Sequence, residues 1–273
     1  MNINTVQVVN LSRKSPISLR IGRWLDRSAG FSPSEGDFMR YAICFTPSAS
    51  DPLTLVAANW LGRNVYSGEM VDPPAIRGLG IHEIAFHTAV PRRYGFNGTL
   101  KAPFRLAEDM SEAALLRDLM RFSGTVTPFE IPRMEVARLG GAFGLVPSEP
   151  SQQMHFLAAS LIQAFDHYRA PLTEAEIERS DPDSLSAAQF ANLHRWGHPH
   201  VMDEFRFQMM LTGTVGPADL PRMERVLRDF FEPALAEPVP VSNIALMMEE
   251  GTGGPFRVHS LHPMGKVSAR KIA

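Results

Sequence analysis

A short apolar strand pattern with one amide at its middle occurs twice in this chain, as Gly95-Phe96-Asn97-Gly98-Thr99-Leu100 and as Arg206-Phe207-Gln208-Met209-Met210-Leu211. Each copy opens the same run of elements. In the first, a strand over 94–100 leads to a helix over 111–122, with Ala114, Leu115, Leu119 and Phe122 on one face. A strand over 129–139 follows, and 142–146 returns across the Gly140-Gly141 turn. In the second, a strand over 205–212 leads to a helix over 217–231, a strand over 239–248 and a return over 255–261 across a glycine-rich turn. A duplicated unit of this kind predicts an α+β protein with two pseudo-symmetric lobes, largely antiparallel sheets and a central cleft. The lobes span roughly 94–147 and 205–261, connected by helices over 151–165, 171–178 and 186–195. Ahead of them, 40–46 reads as a strand ended by Pro47, 51–61 as a helix capped by Asp51, and 81–88 as a short helix stopped before Pro91.

Charge and composition narrow the function classes. A net charge of −2 and a pI near 6.5 argue against bulk nucleic-acid binding through positive charge. Cys44 is the only cysteine, which excludes a disulfide framework and a cysteine-based zinc site. With Tyr41, Ile43 and Phe45 around it, it reads as a core thiol on a strand, and a reducing, cytoplasmic setting fits. No stretch approaches the roughly 18 apolar residues that span a bilayer.

Residues 1–39 read as a basic amphipathic extension. Arg13, Lys14, Arg20, Arg23 and Arg27 stand against Asp26 alone, while Ile17, Ile21, Trp24 and Leu25 recur at helical spacing. Such a segment packs on its own domain, docks on a protein partner through 13–28, or touches a membrane surface. A basic tail over 264–273 carries Lys266, Arg270 and Lys271. The domain itself is expected over 40–263.

The run from Tyr94 to Leu106 is specific enough to carry a family resemblance. Together with Arg40-Tyr41-Ala42, Trp60-Leu61-Gly62, Ala164-Phe165-Asp166, Arg169-Ala170-Pro171-Leu172-Thr173 and Glu204-Phe205-Arg206-Phe207, it resembles the 2H phosphoesterase superfamily. The nearest branch is the bacterial one encoded beside phosphonate-utilisation genes. That resemblance implies two His-x-Thr/Ser motifs facing each other across a cleft, one histidine acting as general base and the other as general acid on a cyclic phosphodiester. The hydroxyls would bind phosphate oxygens.

Here the first motif reads Asn97-Gly98-Thr99 and the second Gln208-Met209-Met210. Acid–base work needs groups that titrate near neutral pH, which imidazole does and an amide does not. The hydroxyl survives at Thr99 and is lost at Met210. Strand alternation puts 97, 99 and 101 on one face, and 208 and 210 on another. Asn97, Thr99, Lys101 and Gln208 are therefore the polar candidates for ligand binding, flanked by Tyr94 and Arg206. Binding can outlive catalysis at such a site. Alternatively Met209 and Met210 fill the old pocket with apolar bulk.

Other constellations are weaker. His198 and His200 are candidate metal ligands or relocated acid–base groups, but no carboxylate accompanies them at ligand spacing, and a loop with exposed rings is the plainer reading. His82 and His87, five apart, share no helical face. Gly251-Thr252-Gly253-Gly254 is a turn, since no Lys-Ser/Thr pair follows. Arg92, Arg93, Arg105, Arg169 and Arg206 could form an anion-attracting rim, or be paired surface arginines. No cofactor is expected. The leading expectation is a catalytically degenerate binding or assembly module, with a protein partner or a phosphorylated small molecule as its ligand. The alternatives are a working or residual cyclic phosphodiesterase and a structural subunit with a filled cleft.

Overall fold

The computed structural model describes residues 39–249, 251 and 253–265. Its frame is an antiparallel sheet built around β1 (Tyr41–Phe45), which is buried along its whole length and paired on both edges. One neighbour is β2 (Gly98–Phe104) and the other is β8 (Asn243–Glu249). With β4 (Met134–Leu139), β5 (Ala142–Pro147), β6 (Met209–Met210) and β9 (Phe256–Pro263), the order is β4-β5-β6-β2-β1-β8-β9. Every pairing in it is antiparallel. The stretches 94–147 and 205–261 interleave in this sheet, because β6 lies between β5 and β2.

Seven α-helices accompany the strands among the described residues: α1 (Pro52–Leu61), α2 (Ile81–Tyr94), α3 (Glu112–Ser123), α4 (Gln152–Phe165), α5 (Glu174–Arg179), α6 (Ala187–Trp196) and α7 (Leu220–Phe231). The architecture is mixed α+β. Local sequence explains where several of the helices begin. Asp51, Ser111 and Ser151 each accept a backbone N–H in the first turn, and Thr173 and Ser186 form capping boxes with Glu176 and Gln189. The amphipathic faces then bury against the sheet: α4 on β2, α3 on β8 and β9, and α7 on β4. Trp60 ties α1 to the sheet centre by donating its indole N–H to the carbonyl of Leu211 at 2.8 Å. Its ring packs against Phe230 and Phe231 of α7.

Five expected elements differ, the first being the strand expected over 94–100, which is found at Gly98–Phe104 because Tyr94 ends the preceding helix. The helix expected over 81–88 runs on to Tyr94, through Pro91. A proline inside a helix leaves the carbonyl four residues earlier without its N–H partner. Here that carbonyl, on His87, accepts instead from the backbone N–H of Gly213 at 2.7 Å, so the helix continues at little cost. The long strands expected over 129–139 and 239–248 are each broken. Their first parts, β3 (Phe129–Ile131) and β7 (Val239–Val241), pair with each other as a separate two-stranded sheet. The strand expected over 205–212 shrinks to Met209–Met210, preceded by a short 3-10 turn at Met202–Glu204.

The folded unit also reaches slightly past its expected end. Met264 and Gly265, assigned to the tail, donate backbone hydrogen bonds to the carbonyls of Ser242 and Ser123. The basic segment 13–28 and the charges at Lys266, Arg270 and Lys271 lie outside the described residues. Among the described residues no helix is long and apolar enough to cross a membrane. Cys44 is buried, and burial pushes its thiol up to about 12, which makes it an inert core group.

Candidate functional site

The two motif strands meet at the middle of the sheet. Gly98 of β2 pairs with Met209 of β6, so the residues on either side of each are brought together. Asn97, Thr99, Gln208 and Met210 all border one cavity of about 130 Å³, with Tyr94 and Arg206 beside them. This is the size of roughly four waters, well below pockets for drug-sized ligands at about 300–1,000 Å³. The cavity is open space that Met209 and Met210 do not fill. Met209 points away into the core and is fully buried, and only Met210 reaches the cavity wall.

The turn into β2 is set by Gly95, which caps α2 with φ 75°. A Cβ at this position would stand 2.4 Å from Cγ2 of Val65, so only glycine fits both the backbone and the space. The turn leaves two carbonyls facing Asn97. Its Nδ2 donates to the carbonyl of Tyr94 at 2.9 Å and to that of Gly95 at 3.1 Å. Two acceptors can be satisfied only by the NH₂ end, so this contact fixes the orientation of the amide. Oδ1 is then left to accept from the hydroxyl of Thr99 at 3.2 Å. Asn97 therefore braces the turn into β2.

Gln208 is half-buried, and its amide has no hydrogen-bond partner among the described residues. Arg206 is exposed at the cavity rim, where it donates to the carbonyls of Asp203 and Phe205.

Lys101 does not join them. The β1–β2 register shifts between the Cys44–Thr99 and Ile43–Lys101 pairs, an extra residue that breaks the alternation after Thr99. Lys101 is consequently buried at 2% exposure, pairs with Asp166 at 3.0 Å and sits over the ring of Phe104. Burial lowers its pKa, opposed by Asp166. The shared face expected for 97, 99 and 101 ends at Thr99.

The histidine loop is closer to the site than its sequence suggested. Gly197 ends α6 in the left-handed region, and Asn192 Nδ2 pins the following loop through the carbonyls of Pro199 and Val201. His198 and His200 are thereby set in the cavity wall, half-buried rather than exposed. The backbone N–H of His200 donates to Nδ1 of His198 at 3.2 Å, so neutral His198 carries its proton on Nε2. Burial, then the charges of His200 and Lys101, push His198 down to about 3. Burial also lowers His200, with Glu204 opposing. Both shifts run away from neutral pH, where general acid–base catalysis operates. Among the described residues no group of three or more His, Cys, Asp or Glu side chains is arranged to hold a metal ion.

Glu204 also borders the cavity, accepting on one oxygen from Gln189 at 3.0 Å. The sequence pattern placed it in the Glu204-Phe205-Arg206-Phe207 block without assigning it to the site. The other candidate rim arginines are engaged away from the cavity. Arg92 bonds the carbonyls of Leu61 and Ala85, while Arg93, Arg105 and Arg169 pair with Glu249, Glu176 and Asp166. A larger groove of about 610 Å³ lies between α3 and α4, lined by Phe122, Phe129, Phe156 and other residues that carry no titratable group.

The chain is 34% identical over 227 residues to a protein of Janthinobacterium sp. (strain Marseille) named ribose 1,5-bisphosphate phosphokinase PhnN, covering 82% of this chain and 50% of that protein. A protein of the same name from Laribacter hongkongensis (strain HLHK9) is 31% identical over 220 residues, covering 81% of this chain and 50% of that protein. The chain thus spans about half the length of these curated relatives. Residues 99–257 match the family described as "Protein of unknown function (DUF1045)", and the chain belongs to that family.

Proposed function

We propose that this DUF1045-family chain is a 2H phosphoesterase-like protein of phosphonate and ribose-phosphate metabolism that has kept a binding cavity and lost the acid–base pair. One observation carries the reading. Asn97, Thr99, Gln208 and Met210 border one cavity at the β2–β6 seam, and none of the four titrates near neutral pH. The repeated element order and the central position of the two motif strands support two related lobes meeting at that seam. The ligand is a small phosphorylated molecule, in keeping with the ribose 1,5-bisphosphate in the relatives' names.

A phosphokinase step is assigned to the part of those relatives that this chain does not match. The sequence has no Gly-x-x-x-x-Gly-Lys-Ser/Thr loop to cradle a nucleotide's phosphates. Docking on a protein partner, through 13–28 and the basic tail, is a separable part of the proposal. A pull-down from the native host returning no reproducible partner would count against it.

The rival reading, a working phosphodiesterase, is favoured by the presence of His198 and His200 in the same cavity wall. Against it stands their depressed basicity, and Nδ1 of His198 is already occupied by a backbone N–H. Phosphorus NMR of the protein mixed with ribose and nucleotide cyclic phosphates separates the two. The binding reading predicts unchanged resonances. A new product peak that disappears in the His198→Gln/His200→Gln double variant would establish the enzyme.

A further inference from the structure

The polar groups on the β2–β6 cavity are lopsided. Both hydrogens of the Asn97 amide are committed to backbone carbonyls, and the only hydrogen of Thr99 goes to Asn97 Oδ1. What Thr99 offers the cavity is lone pairs. Glu204 adds a carboxylate, with one oxygen engaged by Gln189 and the other unpaired among the described residues. A phosphate needs charged donors, and here the donors on the wall, Gln208 and neutral His198, carry no charge while Glu204 brings a negative one. A hydroxyl group supplies what these acceptors lack. Gln208, whose amide has no partner among the described residues, can donate to one hydroxyl oxygen and accept from a neighbouring hydroxyl. Leu100, Phe205 and Met210 give apolar walls for C–H faces, and the volume of about 130 Å³ suits a small ring rather than a nucleoside.

We infer that this cavity takes the neutral, polyhydroxylated end of a small sugar phosphate, with the phosphate outside it at the exposed guanidinium of Arg206. The inference rests on the binding reading above and reverses the role that the family resemblance gives the motif hydroxyl. Thr99 is a specificity-determining acceptor for a sugar hydroxyl, and Gln208 is its partner across the seam. Positive charge enters only at the rim.

Isothermal titration of the full chain with ribose, inorganic phosphate and ribose 5-phosphate tests this. Ribose is expected to bind and to compete with ribose 5-phosphate, while inorganic phosphate does not compete. Thr99→Val should weaken both sugars by about tenfold, the worth of one hydrogen bond, and Thr99→Ser should retain them. Arg206→Gln should weaken ribose 5-phosphate alone. If ribose 5-phosphate binds but inorganic phosphate displaces it and ribose does not, the orientation is overturned while the binding reading stands. If neither sugar binds, both fall together. Circular dichroism of each variant separates lost binding from lost folding.

Discussion

Gly98 and Met209 stand opposite each other across the β2–β6 pairing, and the ring of Phe207 lies directly over Gly98. A Cβ at Gly98 would be 2.2 Å from Cε2 of that ring, which is itself packed in the core against Phe45. The close approach joins the two motif strands and sets the cavity beside them. Gly98→Ala should therefore destabilise the fold by about 1–3 kcal/mol, as overpacking does. The midpoint of urea unfolding measures it, and an unchanged midpoint would mean that Phe207 yields freely.

Asn97→Asp keeps the shape of the side chain and replaces its donor with an acceptor facing two carbonyls. Leaving those carbonyls unpaired costs about 1–3 kcal/mol, and more when the group is charged. The carbonyls hold the new carboxyl above its ordinary pKa in the folded state, so the folded form binds the proton more tightly. The penalty should therefore shrink as pH falls through the carboxylate range. Thermal melts of the variant at neutral and acid pH check the sign.

His198 contributes the opposite slope. Its folded value, about 3, lies below the ordinary 6.5, so between those limits the unfolded chain binds a proton that the folded chain refuses. This contribution to stability is complete above about pH 6.5 and is lost as the pH falls toward 3. His198→Gln should flatten that part of the acid limb in a denaturation series. An identical slope in the variant would contradict the burial of the ring.

Lys101 and Asp166 separate stability from binding. Removing Asp166 leaves a buried ammonium beside Arg169, and breaking a buried pair from one side costs about 3–5 kcal/mol. Lys101→Met removes the buried charge itself and should cost much less. It should also leave sugar-phosphate affinity unchanged, since Lys101 is off the cavity wall. A marked loss of affinity in Lys101→Met, measured by titration on a folded variant, would place that ammonium in the site after all.

The parts of this protein that follow from short-range pattern were legible in its sequence. Helices α3 and α4, the shared face of Gln208 and Met210, the Asp51 cap and the buried Cys44 all rest on short-range periodicity or local hydrogen bonding. What was not legible depends on partners distant in the chain. Helix α2 passes through Pro91 because Gly213 supplies the N–H that the His87 carbonyl lacks. Lys101 turns away because of one extra residue in β2, which no propensity predicts. His198 and His200 looked like an exposed loop, since the Asn192 contacts that fold them into the cavity wall exist only in the tertiary structure.

The central claim is that ligand binds at the β2–β6 seam. The most direct measurement is a nitrogen–proton correlation NMR titration of the full chain with ribose 5-phosphate. Binding at the seam should give saturable shifts at the amides of Asn97, Gly98 and Thr99 and of Gln208, Met209 and Met210, with smaller ones along the His198–His200 loop. Shifts confined to the groove between α3 and α4, or no shifts at millimolar ligand, would contradict it.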